Sequence, residues 1–527
     1  MSKILPSVAA AQRYREQTVD WDGLASAVHR ARGRAGVEPG KPGVVEFQQG
    51  RAAAIEQTYF KESGLFQSRI AYAISNPAVD VDVLVEDLKA TLAPSLVEAS
   101  NSTKPGAIQN VTVLGGGPGG LAAAIALKNM GLDVTLVERK PIAERRVFPI
   151  FNSRINLFND LEALGVYGSV MEQSSYTEHV VFRNMIAGYE ASLEPLHAAR
   201  GQGHLTGPEL TELAKEGTPP KIVFDGDFNN LQDPISRPSR AQIAYGDMVH
   251  GLAERAQELG IHIVDEALAD VVPNDAGKYD VVATRKDGTK VALGTPDRIV
   301  VAPGNLKHLG PLANEFTHLK ESALRKFCAG LANIAVGSVQ RRVIKQVGDD
   351  TLRTVVVGHG QRSAAWMLTQ LPEGWSGDEA DLARYWKNEV GEALAPEHAA
   401  QLSDDSIEFV SPKPFDVQLT RLRNMSANNQ VLAIGDAAHK AHFLTSYGVH
   451  LAVGGDIQAL QAHVEASNAY GEDVGFWEFD RIMQENAAVW CGGSLDEFEH
   501  DDTPWNLRAL TFDDRQARPG RFARKPL

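Results

Sequence analysis

Two cysteines in 527 residues, Cys328 and Cys491, are too few for a disulfide scaffold, and no C-x-x-C or His/Cys spacing suits a thiolate zinc site. That scarcity accords with a reducing cytoplasm, the location expected here. Positive charge is also short. Lys and Arg number 52 against 67 Asp and Glu, a formal net charge of -15, so neither nucleic acid nor an anionic membrane surface is an expected partner. Long apolar runs are missing too. The longest charge-free stretch, residues 107–127, has the length of a bilayer span but is dense in glycine. At the N-terminus the apolar patch 4–11 is short and broken by Pro6, which argues against a secretory leader. Glu16, Asp20 and Asp22 argue against an organelle transit peptide, a class poor in acids. What remains, 43% hydrophobic and 23% charged, is the composition of a folded globular chain long enough for several domains.

Residues 1–106 read as a helical N-terminal extension: Val83, Leu84, Leu88 and Leu92 fall at helical spacing, and 52–64 has similar character. Such an appendage serves packing and oligomerisation or covers a substrate entrance, and a homo-oligomer formed through it is the expectation. The polar turn formers of 99–106 mark a boundary. Beyond it the pattern predicts a strand at 111–114, a helix at 121–130 closed by Gly131, a strand at 134–137 and a helix at 155–164. Residues 180–235 are loop-rich. An amphipathic helix at 248–259, closed by Gly260, leads into a strand at 261–264. Strand signals dominate 279–301 and 331–371, and a last apolar strand is expected at 431–434. No fixed-period repeat is present.

Between the first strand and helix lies Gly115-Gly116-Gly117-Pro118-Gly119-Gly120, a G-x-G-x-x-G in the strand–turn–helix context that gives it meaning. Gly115 permits the tight turn, Gly117 lets the backbone approach a pyrophosphate, and Gly120 lets helix and strand pack closely. The helix N-terminus adds N–H donors and a positive dipole end. Glu138 stands 23 residues after Gly115, at the end of the second strand, where a carboxylate accepts from both ribose hydroxyls of an adenosine; Arg139 follows it. A dinucleotide is therefore expected, and FAD and NAD share this half-site. A purely structural βαβ turn leaves Glu138 without a role.

The last strand runs into Gly435-Asp436-Ala437-Ala438-His439, and Tyr447-Gly448-Val449-His450 precedes a helix expected through Asp456 to about Glu465. With the first motif about 300 residues upstream, the chain resembles the group A flavoprotein hydroxylases, FAD-dependent monooxygenases of the p-hydroxybenzoate hydroxylase type. The likeness spans about residues 108–470, and the chain is more weakly similar to the MICAL monooxygenase domains. The resemblance implies FAD as cofactor, with Gly435, Asp436, Ala437 and Gly448 joining Gly115, Gly117, Gly120, Glu138 and Arg139 around it. It implies that Asp436 holds the ribityl chain and that the following helix aims its N-terminus at the flavin pyrimidine ring, stabilising negative charge there. Arg154 is either a pyrophosphate partner or a surface arginine. Lys140, Arg145 and Arg146 are either NADPH contacts or a solvated charge cluster. Arg240 and Gln242 precede the helix before which relatives place a polar residue on FAD. The implied reaction uses NADPH or NADH and O2 to insert one oxygen atom into a small organic substrate, aromatic or natural-product-like, through a flavin C4a-hydroperoxide.

The implied fold is α/β: a Rossmann-like FAD-binding domain (107–180, 236–314 and 421–470) interleaved with a mostly antiparallel β-sheet substrate domain (181–235 and 315–420). A helical N-terminal extension (1–106) and a C-terminal helix and tail (471–527) complete it. Three departures stand out. Pro303 replaces the aspartate of the family's Asp-Gly motif, which leaves the nicotinamide step open. The loop Lys440–Gly448 is bulkier than the family's proline- and glycine-bearing one. His450 replaces an asparagine beside the isoalloxazine, where it either tunes the flavin or simply packs. His442, Tyr447 and His450 are the candidate catalytic residues facing the flavin. His439, His442 and His450 do not have metal-ligand spacing, and no metal is expected. Gly374-Trp375 lacks the second tryptophan of flavin halogenases. An FAD oxidase, dehydrogenase or reductase on the same scaffold is the second reading, and a non-catalytic FAD-binding protein the third.

Overall fold

Short runs of β-branched and aliphatic residues, each bounded by glycine, proline or a polar turn, build the central sheet. In the computed structural model it has six strands, in the order Ser426–Ala427, Val431–Ala433, Arg298–Val301, Asn110–Leu114, Asp133–Val137 and His262–Val264. All pairings are parallel except the first. The structure describes residues 19–33, scattered positions from 52 to 88, 108–142, 149–176, 179–185, 189–196, 221–225, 240–304, 306–321, 325–348, 350–440 and 447–499.

Burial on both faces explains why these strands lack alternation: Arg298–Val301 is buried at every position. Leu114 pairs with both Val137 and Val301, so the carboxyl ends of three strands lie level. From Asn110–Leu114 the chain moves to Asp133–Val137 on one side and later returns to Arg298–Val301 on the other. That change of direction opens a crevice at the carboxyl ends. The helix Pro118–Asn129 leaves the first strand with proline at its start, and its alanine-rich body is buried from Pro118 to Leu127. Gly131, at φ +86°, ends it.

A second, larger sheet lies outside this unit. Its order is Ile407–Val410, Arg325–Ala332, Ala364–Gln370, Asp350–His359, Val339–Val347, His179–Asn184, Tyr189–Leu196 and Lys221–Asp225, with Phe415–Val417 also paired to Arg325–Ala332. Most pairings are antiparallel; the two parallel exceptions flank the His179–Asn184 and Tyr189–Leu196 pair. Its strands come from chain segments between those of the first sheet, so the two units interleave. One face packs on the helix Glu379–Ala393, where Trp386 is fully buried and donates to the Met367 carbonyl. A meander of Ala267–Pro273, Tyr279–Arg285 and Lys290–Gly294 accompanies the central-sheet unit. Near the N-terminus, Leu24, Val28, Ile70, Ile74, Leu84 and Leu88 bury one another in a separate helical cluster.

The helices Asp456–Tyr470 and Glu472–Glu499 are tied to the central sheet through Arg298. Its Nε donates to His463 Nε2 at 2.8 Å, a guanidinium nitrogen lies 3.3 Å from Glu472, and its charge sits 4.8 Å from the Phe476 ring centroid. Burial, reinforced by Arg298, pushes the His463 pKa down to about 3, which keeps the ring a neutral acceptor. An unfolded histidine takes a proton near pH 6.5 and the folded one does not until about pH 3, so this group's stabilisation is lost as pH falls through that window. Urea titrations of His463→Gln at pH 7.5, 5.5 and 4.5 should show a shallower acid loss than wild type, by up to one proton. Parallel pH curves would contradict this assignment.

Candidate functional site

One cavity of about 590 Å³ occupies the crevice between the two sheets. Its lining comes from three directions. The first is the glycine turn with the end of the second strand: Gly115, Gly117, Glu138, Arg139 and Lys140. The second is the late turn: Gly435, Asp436, Lys440, Gly448 and Val449. The third is the large sheet: Gln340, Val355, Val357, Trp366 and Leu368. Sequence positions more than 300 residues apart thus meet in one chamber.

The glycines of the first turn do different things. Gly115 has φ +108°, and a Cβ there would stand 2.6 Å from the Ala302 carbonyl oxygen, so both conformation and space demand glycine. A methyl on Gly120 would overlap the Gly115 carbonyl oxygen. Gly117 differs. Its φ of -75° suits any residue, and an added Cβ would meet only the Tyr245 hydroxyl, at 3.5 Å. The chain keeps the space in front of Gly117 empty, facing the cavity, at the N-terminus of a helix with free N–H groups.

Glu138 is buried, and its two carboxylate oxygens accept from the Gly116 and Lys140 backbone N–H groups, the latter at 2.8 Å. These bonds hold the carboxylate at the cavity wall with lone pairs remaining for a ligand. Arg139 and Lys140 are exposed at the same end.

At the late turn, Gly435 adopts φ +58° and its N–H donates to Asp456 Oδ2 at 2.7 Å. His439 Nε2 lies 2.9 and 3.0 Å from the two Asp456 oxygens, with both side chains fully buried. Burial opposes a charged His439, but Asp456, with help from Asp436, outweighs it and raises the pKa. Asp436 opens into the cavity. Desolvation by the surrounding protein raises its pKa against the opposing pull of Lys440 and His439. Gly448 keeps space beside it, since a Cβ there would lie 3.5 Å from Asp436 Oδ1.

The helix expected from Asp456 begins earlier. Tyr447–His450 is α-helical, Leu451–Gly455 is a π turn and Asp456–Tyr470 continues as α-helix. The π turn carries Ala452 against the first glycine turn, where a Cβ on Gly119 would stand 3.0 Å from the Ala452 Cβ. The helix N-terminus therefore stands at Tyr447, beside Gly448 and Asp436, rather than nine residues further on.

Of the residues singled out in the sequence, Gly115, Gly117, Glu138, Arg139, Gly435, Asp436 and Gly448 line the cavity. Gly120 and Ala437 support it from behind, both buried. His450 is half-buried and is not part of the lining, where Val449 stands instead. Arg154 closes the strand Ile150–Arg154, and Tyr447 opens its helix; the side chains of both lie outside what is described, as does His442 altogether. Among the described residues no cluster of metal-ligating side chains occurs.

Sequence reasoning missed Tyr245, the first residue of the helix Tyr245–Glu258, whose hydroxyl faces Gly117 across the cavity. The helix was expected from Met248; it begins three residues earlier, after the strand Arg240–Ala244, and that start places Tyr245 at the cavity. If a pyrophosphate occupies the space before Gly117, Tyr245→Phe removes one donor to it. FAD affinity should fall about tenfold with apoprotein stability unchanged, as fluorescence titration would show. Equal affinity would remove Tyr245 from the site. Gln340, Trp366 and Lys440 were missed as well, because their meeting with the glycine turn depends on how the two sheets pack.

Residues 110–149 match the family model of pyridine nucleotide-disulphide oxidoreductases. No curated protein matches the chain. Among solved structures it is similar to p-nitrophenol 4-monooxygenase PnpA from Pseudomonas putida, with TM-score 0.55 and 15% identity over 78% of this chain and 94% of that one. It is also similar to P. aeruginosa PqsL, determined in complex with 2-aminobenzoylacetate, with TM-score 0.53 and 15% identity over 77% and 100%. A third similar structure is 2-methyl-3-hydroxypyridine-5-carboxylic acid oxygenase, with TM-score 0.52 and 17% identity over 78% and 98%. The fold is therefore the one shared with these structures, and the family model matches its βαβ unit at residues 110–149.

Proposed function

We propose that the protein is an FAD-dependent monooxygenase that uses NADPH or NADH and O2 to place one oxygen atom on a small organic, aromatic or natural-product-like substrate. The observation that carries this reading is the single cavity joining both fingerprint turns to the apolar face of the large sheet. The residues fit FAD. The empty space before Gly117 and the N–H groups of its helix would hold the pyrophosphate, Glu138 the adenosine ribose, and Asp436 the ribityl hydroxyls. The N-terminus at Tyr447 would lie against the flavin ring, where its positive end favours negative charge. Arg139 and Arg154 are assigned to the phosphate region.

FAD supplies the redox and oxygen chemistry, taking a hydride equivalent from the nicotinamide and delivering oxygen, with water as the second product. The protein's part is to bind, orient and exclude water. Val355, Val357, Trp366 and Leu368 give an apolar wall to the same cavity that Asp436 and Gly448 line. Tyr447, in the first helical turn, and His442, just before it in sequence, are the candidates for polar groups near the ring, whereas His450 stands outside the lining. An aromatic ring such as that of p-nitrophenol, named for the similar enzyme PnpA, suits such a wall. We place the protein in the cytoplasm and assign the N-terminal cluster to packing or self-association; no described helix is long and apolar enough to cross a membrane.

Pro303 lines the cavity where relatives have an aspartate, and this favours a second reading, an FAD oxidase or reductase with a different electron donor. Anaerobic mixing of the FAD-loaded protein with NADH or NADPH separates them. The proposal expects flavin bleaching that speeds up with an aromatic ligand, then ¹⁸O from labelled O2 in the product. No reduction by either nicotinamide would favour the second reading.

A further inference from the structure

The wall of the cavity contributed by the large sheet has a regular chemical pattern. Register places Gln340 opposite Val357 and Val357 opposite Trp366, forming one cross-strand row. The next row is Arg342, Val355 and Leu368, and beyond it Ile344 stands opposite Arg353, with Gln370 two residues along the strand from Leu368. Alternation puts all nine side chains on the same face. The cavity, however, reaches only Gln340, Val357, Trp366, Val355 and Leu368. Arg342 and Arg353 are buried beyond it, where an Arg353 guanidinium N–H donates to Gln370 Oε1 at 3.3 Å. Among the described residues of these three strands, the only polar side chain in the lining is therefore a neutral amide.

Gln340 is 2% exposed, so its amide is desolvated whether or not a ligand is present. A side-chain amide has two N–H donors and a carbonyl with two lone pairs, enough to serve protein partners and a ligand hydroxyl or amide together. A carboxylate placed on the same wall would leave water for four apolar side chains and find no cation among the lining residues of those strands, an unfavourable exchange. An uncharged ring with one hydrogen-bonding substituent gives up little on entering and gains an amide contact in a low-dielectric setting.

Resting on the monooxygenase reading, we infer that Gln340 is the polar anchor of the substrate subsite and that this subsite selects uncharged aromatic molecules over their anionic counterparts. Trp366, beside it across one strand, supplies the flat apolar surface for the ring. Specificity here arises from the desolvation a charged ligand suffers as much as from the contact an uncharged one makes.

The test uses the FAD-loaded full chain and follows ligand-induced changes in the flavin absorbance, with 4-hydroxybenzamide, 4-hydroxybenzoate and toluene as probes, and 1-naphthol with 1-naphthoate as a larger pair. Wild type should bind the uncharged member of each pair at least tenfold more tightly than the carboxylate. Gln340→Met, similar in length and apolar, should weaken 4-hydroxybenzamide about tenfold and leave toluene within twofold, a selectivity that a packing defect would not produce. Equal or tighter binding of the carboxylates, equal weakening of toluene and 4-hydroxybenzamide, or silence from all five probes would overturn the inference. The wild-type comparison stands even where the variant fails to fold. The flavin content of the same sample separates this from the parent reading: a protein that holds no FAD refutes the proposed function, whereas a yellow protein that prefers carboxylates refutes only the subsite.

Discussion

Gly117→Val should yield a folded protein that no longer binds FAD. The backbone at Gly117 is extended, with φ -75° and ψ 178°, and the nearest atom to an added Cβ is a hydroxyl at van der Waals distance. A Cβ there meets nothing closer than van der Waals contact and points toward the cavity, so the apoprotein's stability should stay within about 0.5 kcal/mol of wild type. The added side chain fills the approach to the helix N–H groups, and FAD affinity should fall at least about a hundredfold, comparable to losing several charge-assisted hydrogen bonds. Gly120→Ala, three residues on, should fail in the opposite order. Its methyl collides with a backbone oxygen that cannot swing aside, so the apoprotein itself loses about 3 kcal/mol or more. Thermal melts of both apoproteins beside FAD titrations check the pair. Equal destabilisation by both would mean that Gly117 is a packing glycine and not an approach glycine.

Asp436→Ala is the second large effect expected, because it removes the one carboxylate that the late turn aims into the cavity. Hydrogen bonds to a charged group contribute about 1.5–3 kcal/mol, which corresponds to a loss of FAD affinity of roughly tenfold to a hundredfold. Asp436→Asn keeps a carbonyl acceptor and should lose less. Since the protein packed around it raises the Asp436 pKa even though its side chain is open to the cavity, its protonation begins at a higher pH than for an ordinary carboxyl. FAD binding to wild type should accordingly weaken on mild acidification, and binding to Asp436→Asn should not share that dependence. Retention of full affinity by Asp436→Ala, measured by fluorescence titration, would move the ribityl site elsewhere.

Local signals in this chain were readable, and relations between distant segments were not. The glycine turn, Glu138 and Gly131 declared themselves because each depends on backbone geometry within a few residues: a positive φ, a strand end, a helix stop. The Gly435–Ala437 turn was legible through resemblance, and the structure adds why it holds its shape, namely the buried Asp456 bonded to both Gly435 and His439. The helix expected through Asp456 to about Glu465 starts at Tyr447, so Asp456 bonds to a turn in another segment from inside a helix already under way. Tyr245, Gln340 and Trp366 escaped because their place in the cavity is set by how two sheets pack. Strand alternation alone could say that Gln340 shares a face with Arg342, but not where along that face the cavity ends.

The most direct test of the account is the flavin content of the purified, FAD-reconstituted full-length protein, read from its visible absorbance against protein concentration. One FAD per chain is the expected value, falling to near zero in Gly117→Val with the fold intact. A wild-type protein that takes up no flavin would contradict the claim that the glycine turn and the Asp436 turn are two ends of one cofactor site.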